Sequence, residues 1–226
     1  MTENDELHAI RPQYFTPREV AIHNLAKDCW VSIHYRVFDI TPLISDHPGV
    51  LVQPLIQHAG EDISHWFDPQ TNDIKYYVDP ERNDFTPFVP YGQFLHVPPP
   101  ISNTQWRTTD FVPWWRDSKY IIGRLTKKTR WLEIVNMLTQ QQHALEVCCE
   151  ETISEIQKRY LYFNAHAGSY TWKYLEGDGF VPLKMQCTLE ENGIVDETPL
   201  FEQFDMDEQL YKPILHIYFN DDLTVM

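Results

Sequence analysis

The chain has 226 residues, with 33 acidic against 18 basic side chains and a formal net charge of −15. That length buries a core without disulfide or metal staples and leaves room for one domain or two small ones. The acidic balance argues against phosphate backbones and anionic membrane surfaces as partners, and favours basic or neutral protein surfaces. Four cysteines, at 29, 148, 149 and 187, fit neither a disulfide framework nor a zinc knuckle, which points to a reducing compartment. The opening "MTENDELHAIRPQ" lacks the basic and apolar regions of a secretion signal. No apolar run reaches the ~20 residues that span a bilayer, so a soluble, intracellular protein is expected.

In chain order, "FTPREVAIHN" offers Thr16 as N-cap, Pro17 at the first helical position and Glu19 in the first turn, which predicts a short helix through Ala21. "CWVSIHYRVFDIT" alternates apolar and polar residues and predicts a hairpin ending near Thr41. "VLVQPLIQHAGEDISHWFD" predicts two short helices meeting at Ala59-Gly60, with Pro54 near the start of the first and Asp62 capping the second. From Pro80 to Trp115 proline and aromatics dominate without periodicity, so long helices are not expected. This segment reads as a connector, but one too apolar to hang free, and it is expected to pack along a surface or a partner. A new unit follows, with strands at 130–138 and 143–149, an amphipathic helix at 151–163, and a strand at "SYTWKYL". Then come a loop at "GDGF", a strand near "LKMQC", a turn at "LEENGI" and a last strand at "ILHIYFND".

The linked series "FTPREVAIHN", "DCWVSIHYRVFDIT", "HPGV" and "AGEDIS" followed by Phe67 resembles a cytochrome b5 domain, over about residues 13–75. The element order of the second half and its "TLEENGI" turn resemble a ubiquitin-like β-grasp. The expected fold class is therefore α+β: a cytochrome b5-like haem-binding domain at 12–80, a Pro/aromatic connector at 81–127 and a ubiquitin-like β-grasp domain at 128–226. The whole order is similar to that of a family of two-domain cytochrome b5-like proteins. That resemblance implies a protein of the motile cilium axoneme, in the radial spoke stalk, within a large complex of other radial spoke proteins.

The b5 resemblance implies haem held by two imidazoles. His47 stands at the family's first axial position, and Pro48 and Gly49 set the turn that aims its ring, while Val50 departs from the usual second glycine. Register carries the second axial histidine onto Asn72, and an amide is a poor iron ligand. His65, about a turn earlier, or Tyr77 or Tyr76, just after, are the alternatives for the second ligand. A tyrosinate would favour ferric over ferrous iron. The plainer readings are a turn residue for His47, a surface or packing role for His58, a hydrogen-bonded core position for His65 and packing for both tyrosines. Without haem, side chains would fill the crevice.

Other chemistry has less support. There is no phosphate-binding glycine loop, nucleophile elbow or HExxH pair. Cys148 and Cys149 would point to opposite faces of a strand. The C-terminal "NDDLTVM" lacks the diglycine of a conjugated modifier, so the second half is expected to dock. The expected function is a non-enzymatic structural and regulatory axonemal subunit with haem as a redox sensor, the alternative being a soluble electron carrier. Binding of nucleic acid or membrane is not expected.

Overall fold

The computed structural model describes residues 11–99, 111–207 and 212–219, and the chain divides into two compact units, Met1–Leu125 and Thr126–Met226. The first opens with β1 (Tyr14–Phe15) and α1 (Pro17–Ile22), followed by β2 (Asn24–Leu25). Thr16 Oγ1 accepts the Glu19 N–H while the Glu19 carboxylate accepts the Thr16 N–H, so two donors at the helix start are satisfied reciprocally. The hairpin of β3 (Asp28–Ile33) and β4 (Arg36–Asp39) turns through His34 and Tyr35, both at positive φ, as a two-residue turn matched to strand twist requires.

Two short helices follow, α2 (Thr41–Asp46) and α3 (Gln53–Gln57), the latter preceded by one 3-10 turn at Val50–Val52. Gly60, at φ +82, ends this stretch, and a Cβ there would lie 3.0 Å from the Ala21 carbonyl oxygen. The second predicted helix is only a 3-10 turn, Ser64–Trp66, whose Ser64 N–H is taken by Asp62. Beyond it, residues 68–73 form a tight turn closed on Asp68, and β5 (Tyr76–Asp79) and β6 (Asp84–Pro87) make a small separate hairpin.

Residues 81–99 and 111–125 behave differently from a connector. Phe94, Val97, Trp114, Trp115 and Tyr120 are buried in one core cluster with Phe38, Leu43, Leu55, Trp66 and Phe67. β7 (Ile121–Leu125) enters the sheet, parallel to β1 on one side and antiparallel to β4 on the other, giving the order β1-β7-β4-β3-β2. Gly123 permits that insertion, because a Cβ there would strike the Gln13 carbonyl and lie 2.6 Å from Phe15 Cε2. The apolar aromatic segment thus completes the unit that precedes it.

The second unit holds β8 (Thr129–Asn136), β9 (Gln142–Cys148), α4 (Ile153–Tyr160), β10 (Tyr170–Glu176), β11 (Gly179–Pro182), α5 (Thr198–Gln203) and β12 (Ile214–Phe219). The sheet order is β11-β10-β12-β8-β9, with β12 parallel to β8 and the other pairs antiparallel. Ile153, Ile156 and Tyr160 of α4 share a core with Leu132, Ile134, Trp172, Leu215 and Ile217. The strand expected near "LKMQC" lies earlier, at β11, because Gly177, at φ +57, turns the chain back at once. At "LEENGI" a 3-10 turn over Glu190–Asn192 ends on Gly193 at φ +81.

Candidate functional site

His47 is the C-cap of α2, exposed at the end of a helix whose Leu43 and Ile44 anchor in the core. Its Nδ1 lies 3.2 Å from the Leu43 carbonyl oxygen. A carbonyl only accepts, so Nδ1 carries the proton and Nε2 keeps its lone pair, which is the tautomer that metal ligation requires. Pro48 and Gly49 follow as an exposed turn with Gly49 at φ +153, and Val50 and Leu51 after them are 82% and 45% exposed.

The residues expected opposite His47 are engaged elsewhere. Asn72 sits in the tight turn at φ +52, with its N–H given to the Asp68 carbonyl. His65 Nε2 accepts the Trp66 indole N–H at 2.8 Å, so its lone pair is committed, and the residue is exposed where a core position was expected. Tyr76 and Tyr77, adjacent on β5, point to opposite sides of that strand and are 50% and 45% exposed. Tyr77 packs edge-on against Phe88, and burial raises the Tyr76 phenol, which opposes tyrosinate formation. The structure does not gather these candidates around His47.

It brings His96 there instead. The two imidazoles stand with centroids 6.1 Å apart and planes at 80°. Leu95 N–H donates to the Leu51 carbonyl at 3.1 Å, which ties the two histidine-bearing segments together. His96 takes a positive φ, +70, uncommon for a residue with a Cβ. Its Nδ1 accepts the Trp114 N–H at 3.1 Å, and Phe111 lies over its ring at 4.6 Å. Burial, then His47 and Lys119 nearby, hold His96 below the ordinary imidazole range, so it stays neutral. Sequence reasoning passed over it because it lies 49 positions from His47 in a segment read as a connector. The available signal was a lone histidine, "FLHVPP", inside an aromatic run.

The ring separation fits a haem, although the lone pair of His96 Nδ1 is taken by the Trp114 N–H just as that of His65 Nε2 is taken by the Trp66 indole. Two metal–imidazole bonds of about 2 Å each, plus the radii of two five-membered rings, come to roughly 6 Å between centroids, which is the separation found. The interior of the first unit is filled by Trp66, Trp114, Phe67 and Phe94, all under 2% exposed. The apolar surface left for a porphyrin is the exposed rim at Val50 and Leu51. Among the described residues no group of three or more His, Cys, Asp or Glu side chains is placed to hold a metal ion, and no helix is long and apolar enough to cross a membrane. Burial pushes the Cys29 thiol up to about 12 and that of Cys149 to about 11, so neither is a thiolate near neutrality.

A fold with one imidazole presented from a helix end, in a sheet-and-short-helix unit, matches a known class. Residues 16–125 match the family described as Cytochrome b5-like Heme/Steroid binding domain. Over the full length the chain is 50% identical across 216 residues to cytochrome b5 domain-containing protein 1 of Xenopus laevis, covering 95% of this chain and 98% of that protein. It is 48% identical across 220 residues to the Homo sapiens protein of the same name, covering 97% and 95%. The chain belongs to the cytochrome b5 domain-containing protein 1 family. Among solved structures, cytochrome b558 of Ectothiorhodospira vacuolata aligns with 50% of this chain and 99% of its own at 20% identity and a TM-score of 0.27.

Proposed function

We propose that the protein is a non-enzymatic, haem-binding structural and regulatory subunit, in which the first unit holds haem through His47 and the second docks on neighbouring proteins. The observation that carries this reading is the contact of His47 Nδ1 with the Leu43 carbonyl at 3.2 Å, which leaves Nε2 as the ligating nitrogen, on an exposed residue followed by exposed Val50 and Leu51. Bound there, haem supplies a one-electron redox centre, and the exposure of His47 leaves that centre accessible to small oxidants and reductants. The reading is therefore a redox sensor. Its setting in the motile cilium, as part of the radial spoke stalk of the axoneme with other radial spoke proteins as partners, rests on the whole-chain resemblance.

The second unit supports the docking role as a ubiquitin-like β-grasp. Its sheet places the first and last strands, β8 and β12, parallel at the centre, with α4 crossing between β9 and β10. Alternate positions on one sheet face leave Trp131, Phe180 and Ile214 about two-fifths exposed, an apolar surface of the kind that protein partners cover. A second reading, an electron carrier, is favoured by the paired imidazoles, since two such ligands hold iron with little rearrangement on reduction.

Titration with hemin, followed by spectra before and after dithionite, tests both. Stoichiometric, reversibly reducible binding supports a redox centre of either kind, with slow electron exchange with reduced partner proteins favouring the sensor and fast exchange favouring the carrier. Absence of stoichiometric binding by the wild-type chain would sink both and leave a b5 fold used as a scaffold.

A further inference from the structure

We infer that His96 is the second axial ligand, facing His47 across the iron, and that it replaces the histidine which the chain lacks at Asn72. This rests on the haem reading above. Three independent features converge on His96. Its ring stands from His47 at the span of a bis-imidazole centre. The Leu95–Leu51 hydrogen bond fixes the segment at that distance. The backbone at His96 holds φ +70, in the left-handed region that histidine enters more readily than most residues with a Cβ, which fixes the direction of its side chain. Phe111 lies tilted over the ring at 4.6 Å, and Val112 next to it in the chain is exposed, as are Val50 and Leu51.

The hydrogen bond from Trp114 places the His96 proton on Nε2 in the ligand-free chain. Ligation through Nε2 therefore requires the ring proton to move to Nδ1 and the Trp114 amide to lose its acceptor. No electrons are transferred and no proton is lost overall. The near-perpendicular ring planes make a second statement about the bound state. Low-spin ferric haem between perpendicular imidazoles has a strongly anisotropic electron paramagnetic resonance spectrum, whereas near-parallel rings give a rhombic one.

The test loads the full chain with hemin and records absorption and paramagnetic resonance spectra for wild type, His47→Ala, His96→Asn, Tyr77→Phe and His65→Ala. Asparagine at 96 tolerates the positive φ and can still accept the Trp114 N–H, so loss of ligation is separated from loss of fold. The expected result is a low-spin, strongly anisotropic wild-type spectrum that turns high-spin in His96→Asn and returns on addition of free imidazole. Tyr77→Phe and His65→Ala should match wild type. A low-spin spectrum retained in His96→Asn, or lost in Tyr77→Phe or His65→Ala, would overturn His96 as ligand while leaving haem binding intact. Failure of the wild type to bind hemin would overturn both.

Discussion

Replacing Trp114 by alanine asks whether residues 111–125 are part of the first unit's core. The indole is fully buried, with edge contacts to Phe38 at 5.9 Å, Trp115 at 5.7 Å and Phe67 at 6.3 Å. A buried aromatic of this size covers roughly 200 Å², which at about 25 cal/mol per Å² is about 5 kcal/mol of transfer free energy as an upper figure. Trp→Ala substitutions in cores cost about 3–5 kcal/mol. Its Nε1–H is buried with no acceptor among the described residues, so deletion strands no partner and the cost is one of packing. Taking about 4 kcal/mol and a urea slope of about 2 kcal/mol/M, the midpoint should fall by about 2 M. Hydrogen-exchange mass spectrometry across a urea series, read on residues 28–39, isolates the first unit's transition. A fall of less than about 0.5 M would mean that the aromatic segment is not integral to that core, and the assignment of 81–125 to the first unit would fail.

Arg159 Nε lies 2.6 Å from Glu151 Oε1, and Glu151 is 4% exposed while its other oxygen accepts the Cys148 N–H. Arg159→Met should therefore destabilise the second unit by about 3–5 kcal/mol by leaving a buried carboxylate without its cation, and a urea midpoint within error of wild type would refute this. His96 has a folded pKa below its unfolded value of about 6.5, so the unfolded chain binds the extra proton more readily and stability declines as pH falls below that value. The protonated ring cannot accept from Trp114, so exchange of the Trp114 amide, relative to its intrinsic rate, should accelerate as the pH falls through the lowered His96 range in wild type and not in His96→Asn, where equal pH profiles would contradict the assignment.

Local signals in the sequence were accurate where local chemistry decides. The Thr16–Glu19 capping box, the β3–β4 hairpin and the alternation in β8 and β9 lie within a residue or two of their expected places. The helix expected at 151–163 is shorter, 153–160, because Thr152 caps its start through Glu155 and the chain turns after Tyr160. What local reading missed depends on distant partners. "IIGRL" is a five-residue run behind prolines, and its place between β1 and β4 is decided by residues about 85 and 110 positions away. The β5–β6 hairpin replaced a wall where a ligand was sought. At the site His47 was legible from its turn, while His96 was hidden because a fold, not a spacing, sets it beside His47.

The position of β7 governs when the first unit can form during synthesis. β1 leaves the ribosome early, yet its pairing partner among the described residues, β7, is made more than a hundred residues later. At translation rates of about 5–20 residues per second, β1 waits unpaired for several seconds, and the exposed edge of β4 waits with it. The aromatic segment carrying Trp114 and Trp115 arrives just before β7, so closure of the sheet and filling of the core fall in one late step, immediately before the second unit begins to emerge.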